Sequence, residues 1–149
     1  MAREAIPTWF FALVVVRRGD HFLVVREAKH DQLWYLPAGR AEAGETLEQA
    51  AHRETLEEAG IAIVLEGVLK VQHTPTAAGA RVRAIFLARP ADDAPPKSAA
   101  DEHSLEARWV TLEELGRLPL RGPEVERIFR WVADGAAVYP LDLIGRETG

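Results

Sequence analysis

The sequence predicts an α/β layered domain. Long runs of β-branched and aromatic residues, such as TWFFALVVVRR from Thr8 to Arg18, read as strands. Three helix patterns, each with its own start signal, are interspersed among them. The length of 149 residues suits one domain with a real core, so a single domain over residues 1–149 is expected.

The elements follow in order. Thr8 to Arg18 is a buried strand, Gly19-Asp20 a turn, and His21 to Arg26 (HFLVVR) its hairpin partner. Lys29 to Gln32 is polar loop. Leu33 to Leu36 (LWYL) is a short extended piece stopped by Pro37. Pro37-Ala38-Gly39 then leads into a loop. Thr46 is a helix N-cap with Gln49 completing a capping box, and Gly60 stands where a left-handed C-terminal residue is wanted. A helix over about Leu47 to Ala59 is expected. Ile61 to Gln72 and Arg81 to Ala88 read as two strands around a His73 to Ala80 turn. Arg89 to Ala100 carries three prolines and reads as a surface loop. Leu105 to Val110 is a last strand. Thr111 and Glu114 predict a second capping box, for a short helix ending near Pro119. Pro123 opens a final helix whose Val125, Ile128, Phe129 and Val132 recur at helical spacing.

Composition narrows the function classes. Hydrophobic residues make up 48% and charged residues 28%, as in soluble globular proteins. A formal net charge of -5 argues against a general binder of nucleic-acid polymers or acidic membranes. It leaves room for a nucleotide held through metal ions. With no cysteine there is neither a disulfide nor a thiolate zinc site, which fits a reducing cytoplasm. The apolar run Trp9 to Val16 has no basic leader and no clear small-residue cleavage site, and it is too short to span a membrane.

The chemistry concentrates in Gly39 to Ile61, GRAEAGETLEQAAHRETLEEAGI. At about 100° per residue, Glu54, Glu57 and Glu58 fall within roughly a 100° arc of the predicted helix. Leu47, Ala50 and Ala51 lie on the same side, so the carboxylates continue the inward face. Like charges at that spacing repel, and desolvated carboxylates are costly. A divalent cation is the simplest compensation. Magnesium favours one or two carboxylates plus phosphates and waters, so the group suits a diphosphate substrate. Arg53, one turn before Glu57, is placed to hold that carboxylate in one rotamer. Gly39 and Gly44 let the preceding loop bend tightly and come close to the metals.

The full spacing resembles the Nudix box: Gly39, five residues, Glu45, seven residues, then Arg53-Glu54-Thr55-Leu56-Glu57-Glu58-Ala59-Gly60-Ile61. Thr55 stands where a larger aliphatic residue is usual. LWYLPAG, the strand, Pro-loop and strand that follow the helix, and ARWVTLEEL also resemble a Nudix domain. The resemblance implies a mixed sheet sandwiched between helices. It also implies hydrolysis of a nucleoside diphosphate linked to another moiety, with Mg²⁺ or Mn²⁺ held by Glu54, Glu57, Glu58 and the carbonyl of Ala38. An acidic residue on the loop before the Trp109 strand serves many relatives as ligand or base; Glu102 is the first candidate, with Asp101 and Glu106 as rivals. The proton-accepting glutamate is left open among Glu54, Glu57 and Glu102.

Substrate choice lies outside the box. Arg26 is a candidate phosphate contact, since a guanidinium binds phosphate bidentately. Trp34 is a candidate for stacking on a base, against a packing role in the core. His73 begins a loop and is not taken as a catalyst; Trp109 and Trp131 read as core. WYLPAGR, RVRAIFLARP and LEARWVTLEELGRLPLRGPEVERI resemble Nudix enzymes that clear oxidised guanine nucleotides. A nucleoside di- or triphosphate is therefore the first substrate and ADP-ribose the second, with a non-catalytic nucleotide-binding regulator as the other class. Strand edges and the C-terminal LDLIGRETG are candidate surfaces for a homodimer.

Overall fold

The structure is a computed structural model that describes residues 2–148. Met1 and Gly149 lie outside the described residues. The chain runs β1 (Thr8–Arg18), β2 (His21–Glu27), β3 (Trp34–Tyr35), β4 (Ala38–Arg40), α1 (Leu47–Ala59), β5 (Ile63–Pro75), β6 (Ala80–Pro90), β7 (Ser104–Val110), α2 (Leu112–Leu115) and α3 (Glu124–Ala133).

The strands form one mixed seven-stranded sheet along the path β3-β2-β1-β6-β5, with β4 paired to β1 and β7 to β2. β1 and β6 run parallel, in register from Thr8↔Ala80 to Val16↔Ala88. β1 and β2 pair only beside their turn, at Arg17↔Phe22 and Arg18↔His21. Beyond that point β1 takes β4 as its neighbour while β2 takes β3 and β7. The segment from Tyr35 to Arg40 crosses this divide and reaches α1.

The period of two in a strand divides the core. Ala12, Val14 and Val16 of β1 face α1, where Ala50, Ala51, Ala59, Ala84 and Ala88 are all fully buried. Small side chains on both partners let α1 lie close to the sheet. Leu13 and Val15 point the other way, into a core of larger residues with Phe22, Tyr35, Val125 and Phe129. There the Phe22 and Phe129 rings stack at 4.6 Å. Full burial of such a side chain contributes about 1.5–3 kcal/mol. The mixed sheet between α1 on one face and α2 with α3 on the other is the sandwich that the Nudix resemblance implies.

The helix signals in the first half act as expected. Thr46 and Gln49 form both bonds of the capping box, and Gly60 closes α1 at φ 70°. Thr55 is buried, and its hydroxyl donates to Ala51 O at 2.8 Å, so the polar group in this apolar position is satisfied.

Other expectations shift. The residues after Pro37 form strand β4, because its partner Phe11–Leu13 is distant in sequence. β5 extends through His73 and Pro75, leaving a turn of residues 76–79 closed by Thr76 N to Gly79 O at 2.7 Å. Only half of the second capping box forms: Thr111 accepts from Glu114 N, while the Glu114 carboxylate takes the Thr111 hydroxyl instead of its backbone N–H. Pro123 caps α3 instead of occupying its first position. In the C-terminal segment, Leu141 and Ile144 pack against the chain's own core, and Tyr139 bridges to Val68 on β5. Among the described residues, no helix is long and apolar enough to cross a membrane.

Candidate active site

Arg53 is the hub of the site. Its Nε donates to Glu45 Oε2 at 2.7 Å and one terminal nitrogen to Glu45 Oε1 at 2.9 Å, a bidentate pair. The other terminal nitrogen reaches Glu54 at 2.8 Å and Glu57 at 3.2 Å. A further bond to Arg40 O at 3.2 Å ties the helix to the end of β4. Arg53 was expected to orient Glu57; its shorter bonds go to Glu45 and Glu54. The Arg53 fork holds the Glu45 carboxyl below its usual range, and the same bonds raise the guanidinium further.

Gly39 stands against Glu54. A Cβ at Gly39 would overlap the Glu54 carboxyl, so glycine is required for the close approach. Burial pushes Glu54 upward, against the pull of Arg53. Glu58 lies deeper. Among the described residues its one hydrogen bond comes from Ala38 N at 2.9 Å, and burial holds its carboxyl well above the usual range, with the charges of Glu54, Glu27 and Glu57 adding to the shift.

Two cavities flank this helix face. One, of about 220 Å³, is lined by Glu27, His30, Glu58, Glu102 and His103. The other, of about 230 Å³, sits beside Ala38 and Gly39 and is walled by Phe11, Tyr35, Arg81, Arg83 and Arg121. Glu27 and His30 belong to both. In the larger one, Arg83 pairs with Glu124, which also accepts from the Tyr35 hydroxyl at 3.0 Å. Burial, followed by the Glu124 charge, pushes the Tyr35 phenol up to about 12. Arg121 lies over the Tyr35 ring at 4.7 Å and pairs with Glu27 at 3.1 Å.

The structure brings Glu54, Glu57, Glu58, Arg53, Ala38 and Gly39 together. Glu102, an exposed residue, shares the smaller cavity with Glu58. Asp101 instead binds Lys97 and the N–H groups of His103 and Ser104, and Glu106 pairs with Arg26 and Arg108. Arg26 does not line either cavity. It donates to Gln32 O and Gln32 Oε1, both at 3.3 Å. Gln32 ends a turn in which His30, Asp31 and Gln32 all have φ between 55° and 59°. A left-handed L-residue costs about 1–2 kcal/mol, so these bonds brace a strained turn that carries His30. Trp34 is 3% exposed, packs in the core and carries Arg108 over its ring. His73 pairs within β5–β6. Trp109 and Trp131 are half-buried at core edges, each beneath a cation.

Residue-by-residue reading missed His103, whose Nδ1 is 3.6 Å from Glu57 and Nε2 is 3.5 Å from Glu102. It also missed Glu27, Tyr35, Arg83, Arg121 and Glu124. Arg81 and Arg83, alternating on one strand face, were the available signal.

The donor set fits a hard divalent cation. Glu42, Glu45, Glu54 and Glu57 surround the Arg53 guanidinium, and Glu58, Glu102 and the Arg121-paired Glu27 lie alongside, an excess of carboxylates that by itself repels phosphate. Among the described residues, no three His, Asp or Glu side chains already converge as a ligand group. Glu54 and Glu57 are drawn to Arg53, whereas Glu58 makes no ion pair among the described residues.

The fold and this acidic helix face define a Nudix-type α/β domain. A family model described as NUDIX domain matches residues 10–132. The 8-oxo-dGDP phosphatase NUDT18 of Homo sapiens is 39% identical over 135 residues, covering 87% of this chain and 41% of that protein. Phosphatase NudJ of Escherichia coli O1:K1 / APEC is 33% identical over 133 residues, covering 88% of this chain and 86% of that one. Among solved structures, a NUDIX hydrolase from Nitrosomonas europaea superposes with a TM-score of 0.79 at 25% identity, covering 95% of this chain and 98% of its own. The chain belongs to the Nudix family. It spans about two fifths of the length of the human relative.

Proposed function

We propose that this protein is a pyrophosphohydrolase acting on a nucleoside diphosphate linked to another moiety. An oxidised-guanine nucleoside di- or triphosphate is its first substrate. The observation that carries the reaction is one helix face on which Arg53 binds Glu54 and Glu57 while Glu58 accepts from Ala38 N, packed against Ala38–Gly39 at the mouth of an arginine-lined cavity.

Glu54, Glu57, Glu58 and the Ala38 carbonyl would hold magnesium or manganese. Such an ion, when bound, neutralises phosphate oxygens and promotes attack of water on phosphorus. Arg53 keeps Glu54 and Glu57 oriented, and Gly39 lets the β4 backbone approach them. A glutamate accepts the water proton. Glu102, in the cavity shared with Glu58, is one acceptor; Glu54 and Glu57 are the others. Tyr35, Arg83 and Arg121 wall the adjacent cavity, where the non-reacting part of the substrate is placed. The phenol stays protonated in the physiological range and can donate a hydrogen bond.

The relatives that act on 8-oxo-dGDP support the oxidised-guanine choice. We place the enzyme in the cytoplasm, acting on small nucleotides and not on nucleic-acid polymers, with a homodimer as its candidate assembly.

The test is a substrate panel with Mg²⁺ or Mn²⁺: 8-oxo-dGDP, 8-oxo-dGTP, unmodified guanine nucleotides, ADP-ribose, dinucleoside polyphosphates and nucleotide sugars. The 8-oxo-guanine nucleotides should show the highest kcat/KM. Dominant ADP-ribose hydrolysis would overturn the substrate assignment. Unchanged hydrolysis by Glu57→Gln would overturn the reaction itself.

A further inference from the structure

The last turn of α1 carries two of the proposed metal ligands, and it ends where a helix leaves carbonyls without partners. Leu56 O is taken by Gly60 N at 3.0 Å. The next three carbonyls are taken by a segment more than thirty residues away. Glu57 O accepts from the Lys97 ammonium, Glu58 O from the Ser104 hydroxyl at 2.6 Å, and Ala59 O from Lys97 N at 2.8 Å. Lys97 lies in the Pro-rich loop, yet its side chain is only 10% exposed. Its carbonyl accepts from Ala107 N on β7 at 2.9 Å, so the loop is pinned to the sheet as well as to the helix.

Asp101 closes the arrangement. One carboxylate oxygen takes the Lys97 ammonium at 2.7 Å, and the other takes the N–H groups of His103 and Ser104 at 2.8 and 3.2 Å. Residues 101–104 are thereby folded against the end of α1, and this short segment presents Glu102 and His103 to Glu57 and Glu58. The ammonium also opposes the negative end of the helix dipole.

We infer that Lys97 and Ser104 are positioning residues of the metal centre. They fix the backbone of Glu57 and Glu58 and couple it to the loop that carries Glu102 and His103. Burial alone requires partners for the Lys97 ammonium and the Ser104 hydroxyl; what ties them to the site is that both partners are the carbonyls of Glu57 and Glu58 themselves. The inference rests on Glu57 and Glu58 being metal ligands, as proposed above.

The experiment compares wild type, Lys97→Met, Lys97→Arg and Ser104→Ala for Mn²⁺ affinity by electron paramagnetic resonance. Amide exchange across residues 57–61 is measured on the same samples. Lys97→Met should weaken Mn²⁺ binding by about tenfold or more, the usual effect of losing a partner that orients ligands. Exchange at the end of α1 should accelerate while β1 and β6 stay protected. Lys97→Arg, which keeps a donor, should recover part of both. Ser104→Ala is the milder variant, should Lys97→Met fail to fold, and it should shift both readouts in the same direction. Folded variants with wild-type Mn²⁺ affinity would overturn the inference. If wild type itself binds no Mn²⁺, the metal reading fails; unchanged exchange at residues 57–61 would then separately overturn the clasp.

Discussion

Glu58→Gln separates what this carboxyl costs the fold from what it does in the site, because the two effects have opposite signs. In the metal-free protein Glu58 accepts a hydrogen bond from Ala38 N, and burial raises its carboxyl well above the usual range. Its contribution to stability is fully present below the unfolded carboxyl range, where both states carry the proton. It is lost as pH rises through the folded value, since the unfolded chain has already released its proton. Each unit of such a shift is worth about 1.4 kcal/mol. An under-satisfied buried group costs on the order of 1–3 kcal/mol. Glutamine keeps the oxygen that accepts from Ala38 and removes the charge. Metal-free Glu58→Gln should therefore match wild type near about pH 4 and exceed it at about pH 8 by roughly 1–3 kcal/mol. At about 2–4 °C per kcal/mol for a chain of this size, that is roughly 2–12 °C in Tm. Magnesium should act in the opposite direction. Wild type gains about 2.7 kcal/mol at a hundredfold excess over Kd, while the variant, short of one carboxylate donor, gains less and hydrolyses substrate about a hundredfold more slowly. Thermal melts across pH in chelator, then in a magnesium titration, read both effects. An unchanged pH slope in chelator would refute the buried, unpaired carboxyl. Equal magnesium stabilisation of both proteins would refute its role as a ligand.

Other substitutions probe the neighbouring contacts. Gly39→Ala should lower kcat by about a hundredfold, because the new methyl displaces the Glu54 carboxyl, and should cost about 1–3 kcal/mol in a denaturant melt. Glu124 is held below its usual range by the Arg83 hydrogen bond, so its contribution is present at neutral pH and lost as pH falls through its folded value. Glu124→Gln should flatten that acid-side loss, worth roughly 1 kcal/mol. It should also let the Tyr35 phenol titrate at lower pH, read by ultraviolet absorbance, since the Glu124 charge helps to raise it. Trp34→Ala should cost about 3–5 kcal/mol of stability, while KM measured at low temperature stays near wild type, because this ring packs in the core and lines neither cavity.

Local signals were the most legible. The capping box and Gly60 act within a turn of α1, so they mark its ends before any tertiary contact is known. The continuous apolar runs of β1 and β2 likewise read as strands buried on both faces. β4 was not legible, since three residues become a strand only when β1 lies beside them. The same holds for His30–Gln32, whose left-handed backbone is sustained by Arg26 and not by a glycine.

The proposed reaction centre is already spelled out in local spacing, that of Gly39, Glu45, Arg53, Glu54, Glu57 and Glu58 on a loop and one helix face. Those residues meet because helical periodicity operates over a few positions. Only the tertiary structure decided what surrounds that centre. Tyr35 meets Glu124 across 89 positions, Arg83 meets the same residue across 41, and Lys97 reaches Glu57 across 40. These contacts follow from the parallel pairing of β1 with β6, the divergence of β2 from β1, and a loop folded onto the end of α1. Strand partnership is set by which faces bury together in the whole chain, and no stretch of residues carries that information alone.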